Sequence, residues 1–117
     1  MGFGTAVQQA LIHYADFEGR ASRSAYWWFI LFLLLVKLIS LWLLSSFLPF
    51  ARASFYSELL SLIFFLPSLS VTARRLHDVG KSGWMLLLPF TIIGIIPFLY
   101  WMLKPSDEGR NAYGDAG

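Results

Sequence analysis

The chain has no cysteine, which excludes disulfides, thiolate nucleophiles and cysteine-ligated metals. It is poor in charge. Only 14% of its 117 residues are Asp, Glu, Lys or Arg, against about 25% in soluble domains. It has two histidines, His13 and His77, and a single His-Asp pair falls short of the ligand count of a closed metal site. It also lacks a P-loop, a serine-nucleophile elbow and a dinucleotide-binding glycine pattern. No catalytic residue, metal or cofactor is therefore assigned. Net charge is only +2, with the cations clustered, which fits anionic lipid headgroups and argues against nucleic acid. The first 15 residues are polar and carry no basic region followed by an apolar core, so no cleavable signal is expected.

What the chain does have is apolar surface. It is 57% hydrophobic and 18% aromatic, with a mean hydropathy of +0.62. A soluble fold of this size has too little interior to hide so much. The apolar residues are also gathered into runs, and about 20 in a row cross a hydrocarbon core of about 30 Å. The fold class expected is all-α: an integral membrane helical bundle, with an N-terminal interfacial amphipathic helix and three membrane-embedded helical segments, in a single domain over 1–117. A bundle with so little interior of its own is also expected to form a homo-oligomer.

The pattern divides the chain as follows. Residues 1–24 form an interfacial N-terminal region. Within it, Val7, Ala10, Leu11 and Tyr14 have the spacing of one helix face and Thr5 is the expected N-cap. Gly19 permits a turn, and Ser22 or Ser24 can cap the next helix. Span 1 covers 26–48, opens on the aromatic belt Tyr26-Trp27-Trp28 and ends at Pro49. Span 2 covers 55–73 after a loop at 49–56, and Pro67 within it predicts a kink. A cytoplasmic loop at 74–83 leads to span 3 at 84–103. Pro89, Gly94 and Pro97 make that span either one kinked crossing or a re-entrant hairpin. A polar tail occupies 104–117.

Arg20 and Arg23 precede span 1, and Arg74, Arg75 and Lys81 lie between spans 2 and 3. The intervening loop has only Arg52, with Glu58 near it. The positive-inside rule then predicts a cytoplasmic N-terminus and a cytoplasmic 74–83 segment. On a helix extending span 2, Arg74 meets His77 and Asp78, and Arg75 meets Asp78, at i+3 and i+4. Gly80 would supply the left-handed stop. This group reads as a charged helix cap. It also reads as a headgroup or phosphate site built from Arg74, Arg75, His77, Asp78 and Lys81, with Arg20 and Arg23 on the same face. Arginine holds phosphate bidentately, and histidine changes charge near neutral pH. Lys37 stands at bilayer depth in span 1, where a cation is costly. It either snorkels along its stem, faces a subunit contact or lines a polar path with Ser40, and Glu58 is a candidate partner.

Three stretches together resemble a bacterial inner-membrane family, domain of unknown function 805 (the YhaH-like proteins). Phe17-Glu18-Gly19-Arg20-Ala21-Ser22-Arg23-Ser24-Ala25-Tyr26-Trp27 is similar to its F-x-G-R-x-x-R-x-x-Y-W signature. Arg74-Arg75-Leu76-His77-Asp78, with Ser82-Gly83-Trp84, is similar to R-R-L-H-D-x-x-x-S-G-W. Gly109-Arg110-Asn111-Ala112-Tyr113-Gly114 is similar to a terminal G-x-N-x-[YF]-G. The family more often has a basic residue beside Arg23 and an acidic one before the tyrosine, where this chain has serine and Ala25. The resemblance implies a multi-pass bacterial plasma-membrane protein and no particular activity. Its three polar motifs would meet at one surface only if the tail returns to the side of the N-terminus. The expected function is a non-enzymatic module binding lipid headgroups or a protein partner at its cytoplasmic face. The alternatives are a small transporter or channel component using Lys37 and Ser40, and a lipid-modifying enzyme using His77 and Asp78.

Overall fold

Ser22 begins the longest helix. Its hydroxyl accepts a hydrogen bond from the Ala25 N–H at 3.2 Å, satisfying one of the donors a helix start leaves open. The apolar run behind it stays helical to Ser45. In the computed structural model, which describes residues 2–114, the order is α1 Phe3–Ile12, α2 Arg23–Ser45, α3 Phe50–Ile63, α4 Phe65–Asp78, a 3₁₀ segment Gly83–Phe90, and α5 Ile95–Leu103. The architecture is all-helical, as expected; the described residues include one isolated bridge, Asn111 to Gly114, and no strand. The last three residues of the expected polar tail, 115–117, lie outside the described residues.

Among the described residues α2 alone is long and apolar enough to cross a bilayer, and α3 with α4 passes the same test as one broken helix bent by 48°. The break lies at Phe64, just before Pro67. Proline has no N–H for the carbonyl four residues back, which is that of Ile63. That carbonyl is instead taken by the Tyr14 hydroxyl. The kink predicted at Pro67 is present, and the chain N-terminal to α2 satisfies the group it frees.

α1 packs across the first turns of α2. Ala6 and Ala10 are buried, and Phe3 sets its ring edge-on to Trp28 at 5.9 Å. Leu11, on the expected apolar face, is exposed. The expected Thr5 cap is also replaced: the helix starts at Phe3 with Gly2 as N-cap and no side-chain cap bond. Ser70 of α4 ties the end of α1 down, its hydroxyl lying 3.2 and 3.3 Å from the His13 and Tyr14 carbonyls. The loop expected over 49–56 is helical from Phe50, with Pro49 as the N-cap of α3. The polar stretch expected as a loop from residue 74 begins as the last turn of α4. That helix ends at Asp78, and Gly80 adopts φ 77°, the left-handed stop anticipated there.

After Gly80 the chain makes a hairpin. The 3₁₀ segment starts beside Ala73 and His77, close enough that a Cβ on Gly83 would sit 3.3 Å from each. It runs out to Thr91, turns, and returns as α5. The turn is tight: a Cβ on Gly94 would collide with the Leu88 carbonyl and Thr91 Oγ1. α5 ends beside α4 again, where the Trp27 indole N–H donates to the Met102 carbonyl at 2.7 Å. A small core of Ala10, Ala21, Ala25, Tyr26, Phe29, Val71, Leu76 and Met102 holds these elements together. Most large apolar side chains lie outside it, among them Trp42, Phe47, Phe90, Ile92 and Ile93. So much exposed apolar surface on so small a chain marks contact with lipid.

Candidate functional site

The three polar stretches meet at one end of the bundle, around the carboxylate of Asp78. Asp78 is in the last turn of α4, and its side chain is fully buried. Oδ1 accepts from Arg20 Nε at 2.9 Å and Oδ2 from Arg75 Nη1 at 2.7 Å. The Ser106 hydroxyl also donates to Oδ2. Both guanidiniums then cap backbone carbonyls. Arg20 donates to those of Gly109 at 2.6 Å, Asp107 at 2.7 Å, Gly114 at 3.1 Å and Asp78 at 3.3 Å. Arg75 donates to those of Trp101, Met102 and Lys104, the open end of α5. One carboxylate and two guanidiniums thus tie the start of α2, the end of α4, the end of α5 and the tail into one knot. A buried pair is tolerated where hydrogen bonds satisfy its remaining groups, as they do here, with Arg75 Nε left without a partner among the described residues.

The tail folds over this knot. The Asp107 N–H bonds the Asp78 carbonyl at 2.9 Å. Asn111 Nδ2 donates to the His77 carbonyl at 2.9 Å and to Asp107 Oδ2 at 3.1 Å. Its Oδ1 accepts from the Tyr113 N–H at 2.8 Å, which lays the Tyr113 ring flat on His77, centroids 4.1 Å apart. Gly80 is needed here for space as well as backbone angle, since a Cβ would stand 2.7 Å from Asp107 Oδ2.

The sequence-predicted residues divide into two groups. Arg20, Arg75 and Asp78 are committed to the interior. Arg23, Arg74 and Lys81 keep free donors, and His77 keeps one free ring nitrogen. Arg23 is exposed and gives one bond, to the Leu103 carbonyl at 3.1 Å. Lys81 stands 5.4 Å over the Trp101 ring. Arg74 is buried, and its Nε and Nη2 have no hydrogen-bond partner among the described residues. Burial lowers its pKa, with the Asp16 carboxylate pulling the other way. Asp16 is itself held below the usual carboxylate range by the Glu18 backbone N–H, with help from His13. His77 and Asp78 do not form an acid–base pair: His77 Nδ1 bonds the Gly19 carbonyl at 2.9 Å, so that nitrogen carries the proton and Nε2 is left free.

Beside His77 lies a cavity of about 410 Å³ lined by Phe17, Ala73, His77, Ser82, Gly83, Trp84 and Leu86. It is apolar except for the imidazole and the Ser82 hydroxyl. Trp84, 80% exposed, forms one wall. The free donors of Arg74 and the roles of Ser106 and Asp107 were not anticipated from sequence. Ser106 and Asp107 stand outside every motif, and nothing local marks them.

The helical fold, the lipid-facing apolar surface and the polar knot at one end define a small helical membrane protein. The family described as "Protein of unknown function (DUF805)" matches residues 14–115, all but α1 of the helical core. The chain belongs to that family. Among curated proteins of Escherichia coli (strain K12), it is 33% identical to "Inner membrane protein YhaH" over 115 residues, covering 91% of this chain and 90% of that one. It is 37% identical to "Inner membrane protein YhaI" over 110 residues, covering 90% and 88%. These relatives support a bacterial inner-membrane location. No solved structure matches the chain.

Proposed function

We propose that this protein is a non-enzymatic module of the inner membrane that holds an anionic phospholipid at its cytoplasmic face. One observation carries the reading: the cavity beside His77 is roofed by the residues on which the family resemblance rests, namely Phe17, His77, Ser82, Gly83 and Trp84. Its volume lies in the range of about 300–1,000 Å³ typical of ligand sites, and its character, apolar with a few polar groups, is that of such sites. Its position suits a lipid. The exposed Trp84 ring belongs at a headgroup boundary, and the 3₁₀ segment below it turns apolar side chains outward. An acyl chain would lie against Phe17, Trp84 and Leu86. The phosphate would take the Ser82 hydroxyl, within the field of Arg23, Arg74 and Lys81.

The orientation follows from the same charges. Arg20, Arg23, Arg74, Arg75 and Lys81 gather at the end where the knot forms, and Arg52 stands at the other end of the α2–α3 hairpin. By the positive-inside rule the knot is cytoplasmic. The test uses the full chain in nanodiscs containing phosphatidylglycerol and phosphatidylcholine, with co-purifying lipid measured by native mass spectrometry. Phosphatidylglycerol should be retained preferentially. H77Q, which keeps a donor for Gly19, together with W84A should cut that retention about fivefold, and added salt should reduce the headgroup preference. Equal retention of both lipids by the wild-type chain, or unchanged retention by the double variant, overturns the reading.

A further inference from the structure

Lys37 and Glu58 form an ion pair between α2 and α3. Lys37 lies eight residues before the end of α2 and Glu58 eight residues after the start of α3. At 1.5 Å per residue both stand about 12 Å in from the helix ends, near the middle of a hydrocarbon core of about 30 Å. The pair does not face the bundle interior. The Glu58 side chain is 65% exposed, and its surroundings are apolar: Leu34, Leu38, Phe55 and Leu62 are all exposed beside it. Just behind the pair, Ser40 and Ser57 share a buried hydrogen bond of 2.8 Å, which closes the α2–α3 seam and leaves Glu58 on its outer side. Lipid tails cannot solvate a carboxylate. Charged groups at this depth face protein or water.

From this we infer that a second copy of the chain covers this face, and that the two copies pair through Lys37 and Glu58. Each copy presents one cation and one anion side by side. A two-fold axis between them sets Lys37 of each copy against Glu58 of the other, so that the same patch is its own complement. Four alternating charges then meet in one cluster, and the side of Glu58 that lipid would have to cover is buried against protein. Ser54 and Ser61 flank Glu58 one turn away on either side, and side chains this small let two membrane helices approach closely. The inference requires α2 and α3 to lie in the membrane and is independent of the lipid site proposed at the other end.

Because the natural chain has no cysteine, single cysteines report the interface directly. The full chain carrying S61C, reconstituted in liposomes of bacterial phospholipid, should form disulfide dimers about tenfold faster than the chain carrying L99C, a control on the exposed face of α5. Equal rates at the two positions overturn the proposal, and this comparison alters no charge. The second arm separates pairing between copies from pairing within one. K37E and E58K, each added to S61C, should each lose dimers, since each places four like charges in the cluster. An equal mixture of the two chains, distinguished by size, should recover the mixed dimer, because every contact between the copies then sets a cation against an anion. A mixture that cross-links no better than its components, while both retain wild-type helix content by circular dichroism, also overturns it. Cross-linking of S61C to other membrane proteins in native vesicles, in place of itself, would do the same.

Discussion

Arg20 reaches the carboxylate of Asp78 across 58 residues of chain, and neither side chain is exposed to solvent. The pair decides the shape of the whole polar end, because the same guanidinium also holds the carbonyls of Asp107, Gly109 and Gly114. Among the described residues Asp78 is the one carboxylate that pairs with both Arg20 and Arg75. Its loss leaves two buried cations facing each other, whereas loss of Arg20 leaves Asp78 with Arg75 and Ser106.

Asp78→Asn is therefore expected to be the more damaging change. Removing one partner of a buried pair costs about 3–5 kcal/mol, and Asp78→Asn should fall in that range, with Arg20→Gln at or below its lower end. The double variant should cost less than the sum, since it removes a cation and an anion together. Chemical unfolding of the purified chain in detergent, followed by far-ultraviolet circular dichroism, measures all three. An Asp78→Asn protein within about 1 kcal/mol of wild type would show that the knot is not what holds α4, α5 and the tail together.

How much of this was legible in the sequence follows from distance along the chain. Local geometry carried what lay within one helix turn. The i, i+3 contact of Arg75 with Asp78, the Ser22 cap, the left-handed glycines at Gly19 and Gly80 and the break ahead of Pro67 all follow from rules that act over a few residues. Hydropathy carried the membrane class. The pairing of Arg20 with Asp78 could not be read, because nothing in either residue's neighbourhood specifies a partner so far away. Spacing alone pointed Arg74 at His77 and Asp78, whereas in the fold its environment is Asp16 and its donors stay free. Ser106 was invisible for the same reason, since a serine in a polar tail has no signature until the tail is folded back. Helix starts were misplaced at Thr5 and Phe55, because there backbone geometry at Gly2 and Pro49 outweighs the side-chain signals.

The Tyr14 hydroxyl on the Ile63 carbonyl makes a second prediction, one that isolates a proline effect. The bond exists because Pro67 has no N–H to offer that carbonyl. Tyr14→Phe should destabilise the protein by about 1 kcal/mol, the usual worth of one hydrogen bond. In a Pro67→Ala background, where the substituted alanine supplies the helical donor, the same change should cost close to nothing. The double-mutant cycle thus has a sign fixed in advance. Equal costs in the two backgrounds would mean that the tyrosine stabilises through its ring alone, and that the kink is set by packing at Phe64.

The hairpin formed by the 3₁₀ segment and α5 gives the last prediction, the side of the membrane on which the tail lies. Each limb is short. Eight residues at about 2.0 Å and nine at about 1.5 Å reach roughly 16 and 14 Å, about half of a 30 Å core. Both ends are fixed to the same end of α4, Gly83 beside His77 and Lys104 on Arg75. The tail should therefore share its side with the N-terminal region, and the tip should stop inside the bilayer. Single cysteines at Glu18, Arg52, Ile93 and Ala112 test this, with a membrane-impermeant maleimide applied to spheroplasts and to inverted vesicles. Cysteines at 18 and 112 should label only in inverted vesicles and one at 52 only in spheroplasts. The cysteine at 93, at the exposed tip, should label poorly in both. If position 112 instead labels with position 52, the segment crosses the membrane. Arg75 and Asp78 could not then hold the tail, and the knot would have to come apart on insertion.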